Sequence, residues 1–127
     1  RPAALDARVN WHQGDLFAAP PAVGGLLVAN LFLHHFEGDS MRHLARWCAG
    51  FRSLCFVEPL RTEGSLRLGA TMLPFVNRVT RHDMPVSIRA GFVPGELSEL
   101  LELESGKWHV REQTSWRGGI RVLASRI

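Results

Sequence analysis

Apolar and polar positions alternate through Arg8–Gln13, where Val9 and Trp11 share one side. This predicts a short strand, broken by Gly14-Asp15. After the turn-forming segment Pro20-Pro21-Ala22-Val23-Gly24-Gly25 the chain runs Leu26-Leu27-Val28-Ala29-Asn30-Leu31-Phe32-Leu33. That run is apolar on both faces, as a strand buried inside a parallel sheet requires. Met41, Leu44, Ala45 and Cys48 then recur at helical spacing, with Asp39 or Ser40 available as a cap and Gly50 as a stop. Ser53–Val57 predicts a second buried strand, ending at Glu58-Pro59. Strand, helix and strand in that order make a right-handed parallel crossover the expected connection.

Thr62–Val79 predicts a helix with an apolar face at Leu66, Gly69, Met72, Leu73, Val76 and Val79, kinked or ended by Pro74. Thr80–Gly91 carries no usable period and is expected to be irregular. A further helix begins near Pro94, is apolar at Leu97, Leu100 and Leu101, and closes at Gly106. Trp108 and Val110, then Ile120, Val122 and Ala124, alternate in two strands joined across Trp116-Arg117-Gly118-Gly119, a hairpin signal. No repeat, low-complexity tract or linker interrupts this order, which predicts one α/β domain finishing in an antiparallel pair.

Composition narrows the function classes. The chain has 127 residues, 46% apolar and 21% charged, a globular balance that argues against disorder. The net charge of +3 comes from scattered arginines, without the basic run or aromatic–basic repeat of a nucleic-acid groove, so no nucleic-acid partner is expected. Cys48 and Cys55 match no zinc or disulfide framework and read as buried reduced thiols. No metal site is expected. No apolar run approaches the ~20 residues of a membrane span, and no leader pattern is visible, which makes a cytoplasmic location the default expectation. The first residue is Arg1 and the strand pattern starts within a few positions, so the chain reads as one lacking its beginning.

Three segments together resemble the second half of class I (Rossmann-like) S-adenosylmethionine-dependent methyltransferases. Val9-Asn10-Trp11-His12-Gln13-Gly14-Asp15-Leu16-Phe17 is similar to the third strand and its acidic turn. Leu27-Val28-Ala29-Asn30-Leu31-Phe32-Leu33-His34-His35-Phe36 resembles the fourth strand and its His-His-Phe tail, and the helix and hairpin that end the chain resemble the reversed last strand of that sheet. Arg81-His82-Asp83, then Val86-Ser87-Ile88-Arg89 and Phe92, look like a bacterial small-molecule subgroup found near quinone and polyketide pathway genes. The resemblance implies a partial Rossmann-like sheet of parallel strands with a C-terminal antiparallel hairpin, residues 1–127 forming the C-terminal portion of one methyltransferase domain. It implies a family strand order of 3-2-1-4-5-7-6. The glycine-rich loop after the first strand, and the acidic residue that holds the ribose hydroxyls, have no counterpart here. Weak cofactor binding by this stretch alone is therefore expected. Arg8–Gln13 should lose both neighbouring strands and Leu26–Leu33 should become an edge, leaving the isolated chain unstable or prone to aggregate.

The implied chemistry is methyl transfer from S-adenosylmethionine to a small aromatic or lipophilic acceptor. Methyl transfer is an in-line displacement in which positioning alone contributes ~7–11 kcal/mol. Ligands of open parallel sheets sit beyond the C-terminal strand ends, which points to Gly14–Phe17, Asn30–Phe36 and Glu58–Arg61. For the cofactor, Asp15 is suited to accept from the adenine amino group and Leu16 or Phe17 to cover the ring. The competing reading of Asp15 is an Asx turn. Asn30 faces either the methionine part of the donor or the acceptor, or is a buried amide bonded to backbone. His34 and His82 are the candidate bases, His82 in a loop over the acceptor site. His34 and His35 are expected to point to opposite sides. Phe32, His35, Glu58 and Arg61 are assigned to the substrate, with an Arg61–Glu58 ion pair shaping the pocket and Phe32, Phe36, Met72, Phe75 and Met84 as apolar lining. Trp11, Trp47, Trp108 and Trp116 read as packing residues. Two alternatives stay open: a catalytically silent methyltransferase-like partner module, and a nicotinamide-dependent Rossmann enzyme, against which the terminal hairpin argues.

Overall fold

The computed structural model describes residues 9–18 and 23–127. Its regular elements are β1 (Gly24–Asn30), α1 (Gly38–Cys48), β2 (Phe51–Pro59), α2 (Glu63–Met72), α3 (Arg78–Ala90), α4 (Glu96–Leu100), β3 (Trp108–Ser115) and β4 (Gly119–Arg126), with 3-10 turns at Leu33–His35 and Leu73–Phe75. The sheet has four strands in the order β1-β2-β4-β3. β1 runs parallel to β2, while β4 is antiparallel to both β2 and β3. The α/β class and the terminal hairpin are as the sequence implies, with one parallel pair among the described strands.

Side-chain alternation gives the sheet two unlike faces. On one, Leu54 and Phe56 lie opposite Ala124 and Val122 and pack with Met41, Leu44, Ala45 and Cys48 of α1 and with Leu97, Leu101 and Leu103. Fully burying each large side chain contributes about 1.5–3 kcal/mol, and this layer is the core. On the other face Leu26 and Val28 sit beside Ser53 and Cys55 and remain 59% and 61% exposed. β1 is therefore an edge strand buried on one side only. The expectation of apolar cover on both faces is corrected: Leu27 and Ala29 pack on the core, and Leu26 and Val28 do not.

The apolar heptad of α1 is buried as its spacing requires, although the cap lies two or three residues before the expected Asp39 or Ser40: Glu37 is the N-cap and its backbone N–H donates to Ser40 Oγ at 3.1 Å. Pro74 ends α2, whose N-cap Thr62 accepts from the Ser65 N–H at 3.1 Å. The irregular stretch expected over Thr80–Gly91 is instead helix α3. Asn77 caps it by accepting from the Thr80 N–H at 2.9 Å, and Met84 and Ile88, four apart, lie against Gly69 of α2. Capping and packing outweigh Pro85, whose interior position costs about 3 kcal/mol. The helix expected from Pro94 to Gly106 lasts only from Glu96 to Leu100, because Leu101 and Leu103 turn into the core while Glu102 takes a positive φ of 55°. Gly91 is required by crowding: a Cβ there would lie 2.3 Å from the Pro59 carbonyl oxygen. Gly118, at φ 84°, supplies the left-handed residue of the hairpin turn. The expected strand at Arg8–Gln13 does not form over residues 9–13, which pair with no strand of the sheet, and Arg8 lies outside the described residues.

Two outcomes follow from the unlike faces. Burial pushes the Cys48 thiol up to about 12, whereas Cys55 is half-buried on the open face. An aromatic disulfide reagent at pH 8 should titrate Cys55 in the native protein and reach Cys48 only after denaturation; fast reaction of both would contradict this core. Val28→Lys should reduce light scattering by the concentrated chain, since charge on an edge blocks strand pairing. It should cost no more than about 0.5 kcal/mol of stability, and a larger loss in thermal melts would show Val28 to be buried.

Candidate active-site cleft

β1 ends because its chain meets a carboxylate. The last ladder bond runs from the Leu31 N–H to the Val57 carbonyl at 2.8 Å. The next three N–H groups turn to Glu58: Phe32 and Leu33 donate to Oε1 at 2.9 and 2.8 Å, and His34 donates to Oε2 at 3.4 Å. The His34 ring adds Nδ1 at 2.7 Å from Oε2. Glu58 is 1% exposed. Burying a carboxylate costs several kcal/mol, and four converging donors offset that cost. Leu31 takes φ 52° to make the turn, a left-handed conformation that costs a non-glycine residue about 1–2 kcal/mol.

Because carboxylate oxygens only accept, Nδ1 of His34 carries the proton in this pair, and a neutral ring keeps its lone pair on Nε2. Nε2 is buried and has no hydrogen-bond partner among the described residues. The His35 ring packs tilted against the His34 ring, centroids 4.1 Å apart. Both rings line a hollow of about 330 Å³ with Leu31, Asp83, Val86 and Ser87. The expectation that they face opposite sides is corrected: successive residues of a 3-10 turn are about 120° apart, so neighbours can share a hollow.

This hollow shares Leu31, Asp83 and Ser87 with a cleft of about 970 Å³. Asn30, Leu31 and Val57–Pro59 form its base at the carboxyl ends of the parallel strands. Leu68 and Met72 of α2 line it together with Met84 and Ile88 of α3, as does the hairpin turn Ser115–Gly119. A smaller hollow of about 340 Å³ lies on the other side of Asn30, walled by Leu16, Leu27, Ala29, Phe32, Leu33 and Trp47. Asn30 thus stands at the junction of two concavities.

The other candidate residues are dispersed. Asp15 Oδ1 accepts from the Phe17 N–H at 2.9 Å, the Asx-turn geometry, and Oδ2 has no protein partner among the described residues. Phe17 packs edge-on to Phe36 and beside His43, with centroids 5.5 and 4.7 Å apart, so its ring is held against α1. Phe32 stacks edge-on with Phe36 on the side of the smaller hollow, and Phe75 is 85% exposed, leaving Met72 and Met84 as the expected apolar residues that line the main cleft. His82 is exposed on α3 and lines none of these concavities, a correction to its placement in a covering loop. Arg61 pairs with Glu96 at 2.6 Å, not with Glu58. Glu58 points inward from β2, where the N–H groups of the following turn occupy both its oxygens. It positions other groups in place of the substrate contact expected for it.

Sequence reasoning missed Asp83, Ser87 and the Trp116–Arg117 turn. Asp83 and Ser87, four apart on one face of a helix, would have been visible had Asn77 been read as a cap. No local signal marked Trp116. Among the described residues no group of three or more His, Cys, Asp or Glu side chains gathers to hold a metal ion, and no helix is long and apolar enough to cross a membrane. No protein-family model matches the chain, and no curated protein does.

Glu58→Gln places an amide N–H₂ among groups that only donate. It should lower stability by about 3 kcal/mol or more, the scale for breaking a buried charge-assisted network, measured by denaturant unfolding. A loss below about 1 kcal/mol would show that the turn does not rest on this carboxylate.

Proposed function

We propose that the chain contributes the acceptor side and part of the cofactor side of an S-adenosylmethionine-dependent methyltransferase acting on a small, apolar acceptor. The observation that carries this reading is the strand order. β1-β2-β4-β3, with β4 the reversed member, corresponds to 4-5-7-6 in the family order implied by the sequence resemblance. A ligand cleft beyond the carboxyl ends of the parallel pair supports it, since that is where open α/β sheets bind.

The residues present fit one end of the cofactor. Leu16 and Asn30 share the smaller hollow, and Asp15 Oδ2, without a partner among the described residues, is the oxygen offered to an amino proton, while Phe17 is committed to packing. The bound cofactor supplies an electrophilic methyl group. The chain's own residues then do three things. Asn30, at the junction of the hollows, aligns the two ligands. Met72, Met84, Leu68 and Ile88 exclude water from an apolar acceptor. His34, held through Nδ1 by Glu58, accepts a proton at Nε2 from an acceptor hydroxyl once that buried atom is uncovered. His82 has no position from which to do so.

Calorimetric titration of S-adenosylhomocysteine into the protein made from its complete reading frame tests the reading. Saturable binding in the micromolar range is expected, weakened by Asn30→Ala. Absence of binding at millimolar ligand would remove the methyl-transfer assignment.

A further inference from the structure

The main cleft is mostly apolar, and three ionisable residues line it: Glu58, Asp83 and Arg117. Among its lining groups Glu58 is saturated by its four donors. Asp83 is exposed and makes no ion pair among those found in the described residues. Arg117 is different. Its guanidinium lies over the Trp116 ring, 5.1 Å from the centroid, and both side chains line the cleft. Among the described residues Arg117 pairs with no carboxylate, whereas Arg42 and Arg61 do. The stack rests on a rigid base: Gly118 packs against Ser65 of α2, where an added Cβ would come within 3.2 Å of the Ser65 hydroxyl, and the Arg117 N–H is tied to Ser115 Oγ at 3.1 Å.

A guanidinium resting over an indole has given up part of its rotamer freedom before any ligand arrives, so less is lost on binding. Its side chain donates no hydrogen bond to another described residue, and the guanidinium fork matches a carboxylate in two parallel hydrogen bonds. Beside it the walls are thioether, aliphatic and aromatic, the lining of a site for a flat apolar body. We infer that the cleft binds an aromatic carboxylic acid, with the ring against Leu68, Met72 and Met84 and the carboxylate on Arg117. This deepens the methyl-transfer reading by naming the acceptor class, and it rests on that reading only for calling the ligand an acceptor. No bond is made or broken in the binding itself.

The probes are 1-naphthoate, neutral 1-naphthamide and cationic 1-naphthylmethylammonium, titrated into the same complete protein and followed by tryptophan fluorescence and calorimetry. Naphthoate should bind about tenfold tighter than the amide, the scale of one charge-assisted pair, and the ammonium compound weakest. Arg117→Gln should abolish the preference for naphthoate over naphthamide while leaving naphthamide affinity unchanged, and Trp116→Phe should retain the preference while removing most of the fluorescence response. Added salt should narrow the difference. Equal affinity for all three probes, or tighter binding of the ammonium compound lost in Asp83→Asn, would overturn the proposal. So would a naphthoate preference that survives in Arg117→Gln. Because S-adenosylhomocysteine is titrated separately, naphthoate selectivity without nucleoside binding sinks the methyl-transfer reading alone, and nucleoside binding without naphthoate selectivity sinks this one alone.

Discussion

One buried carboxylate sets the geometry of the carboxyl end of the sheet. Glu58 sits where β2 is about to leave the core, and it gathers the N–H groups of three successive residues from the neighbouring strand's exit together with an imidazole. Without an acceptor there, the Phe32 and Leu33 amides would be partly or fully buried and unsatisfied, at about 1–3 kcal/mol each. With it, the chain abandons the strand at Asn30, accepts a strained Leu31, and folds His34 and His35 into a short turn beside α3. The same residue therefore ends β1, shapes the base of the cleft and fixes a histidine tautomer.

Long-range order follows from the two unlike sheet faces. The core layer of α1, α4 and the inward residues of β2 and β4 supplies the stability, and it lies opposite the face on which Leu26 and Val28 are open to solvent. The α2–α3 pair stands over the strand ends, so the cleft lies between a rigid sheet rim and a helical hairpin. Gly91 permits the return of the chain close to Pro59, and the Leu60–Phe92 bridge ties that return to the end of β2. A fixed base and a closely packed helical wall frame the concavity.

Periodicity made some of this legible. Met41, Leu44, Ala45 and Cys48 mark the buried side of α1, and the alternation of Ile120, Val122 and Ala124 about a glycine turn marks the hairpin, because each element's burial follows its own repeat. α3 was hidden by Pro85, since helix-breaking chemistry dominates a local reading while Asn77 capping and Met84–Ile88 packing against α2 depend on a neighbour distant in sequence. Residues 9–13 carry a strand pattern yet form no strand, because alternation specifies a face and not a partner. The site was legible to the level of segments: Asn30–Phe36 and Glu58–Arg61 do meet at one rim. Which side chains engage there was not. Glu58 was assigned to substrate and Arg61 to Glu58, but a side chain at a strand end is claimed by whichever donors the adjacent strand presents, and those come from backbone that no side-chain pattern encodes.

The claim that Glu58 organises the cleft is tested most directly by amide hydrogen exchange on the native chain. The account predicts that the Phe32 and Leu33 amides, which donate to no backbone carbonyl, exchange as slowly as the Leu54 and Phe56 amides at the centre of the sheet. It also predicts that their protection collapses in Glu58→Gln while that of Leu54 persists. Fast exchange at Phe32 and Leu33 in the unaltered protein would contradict it.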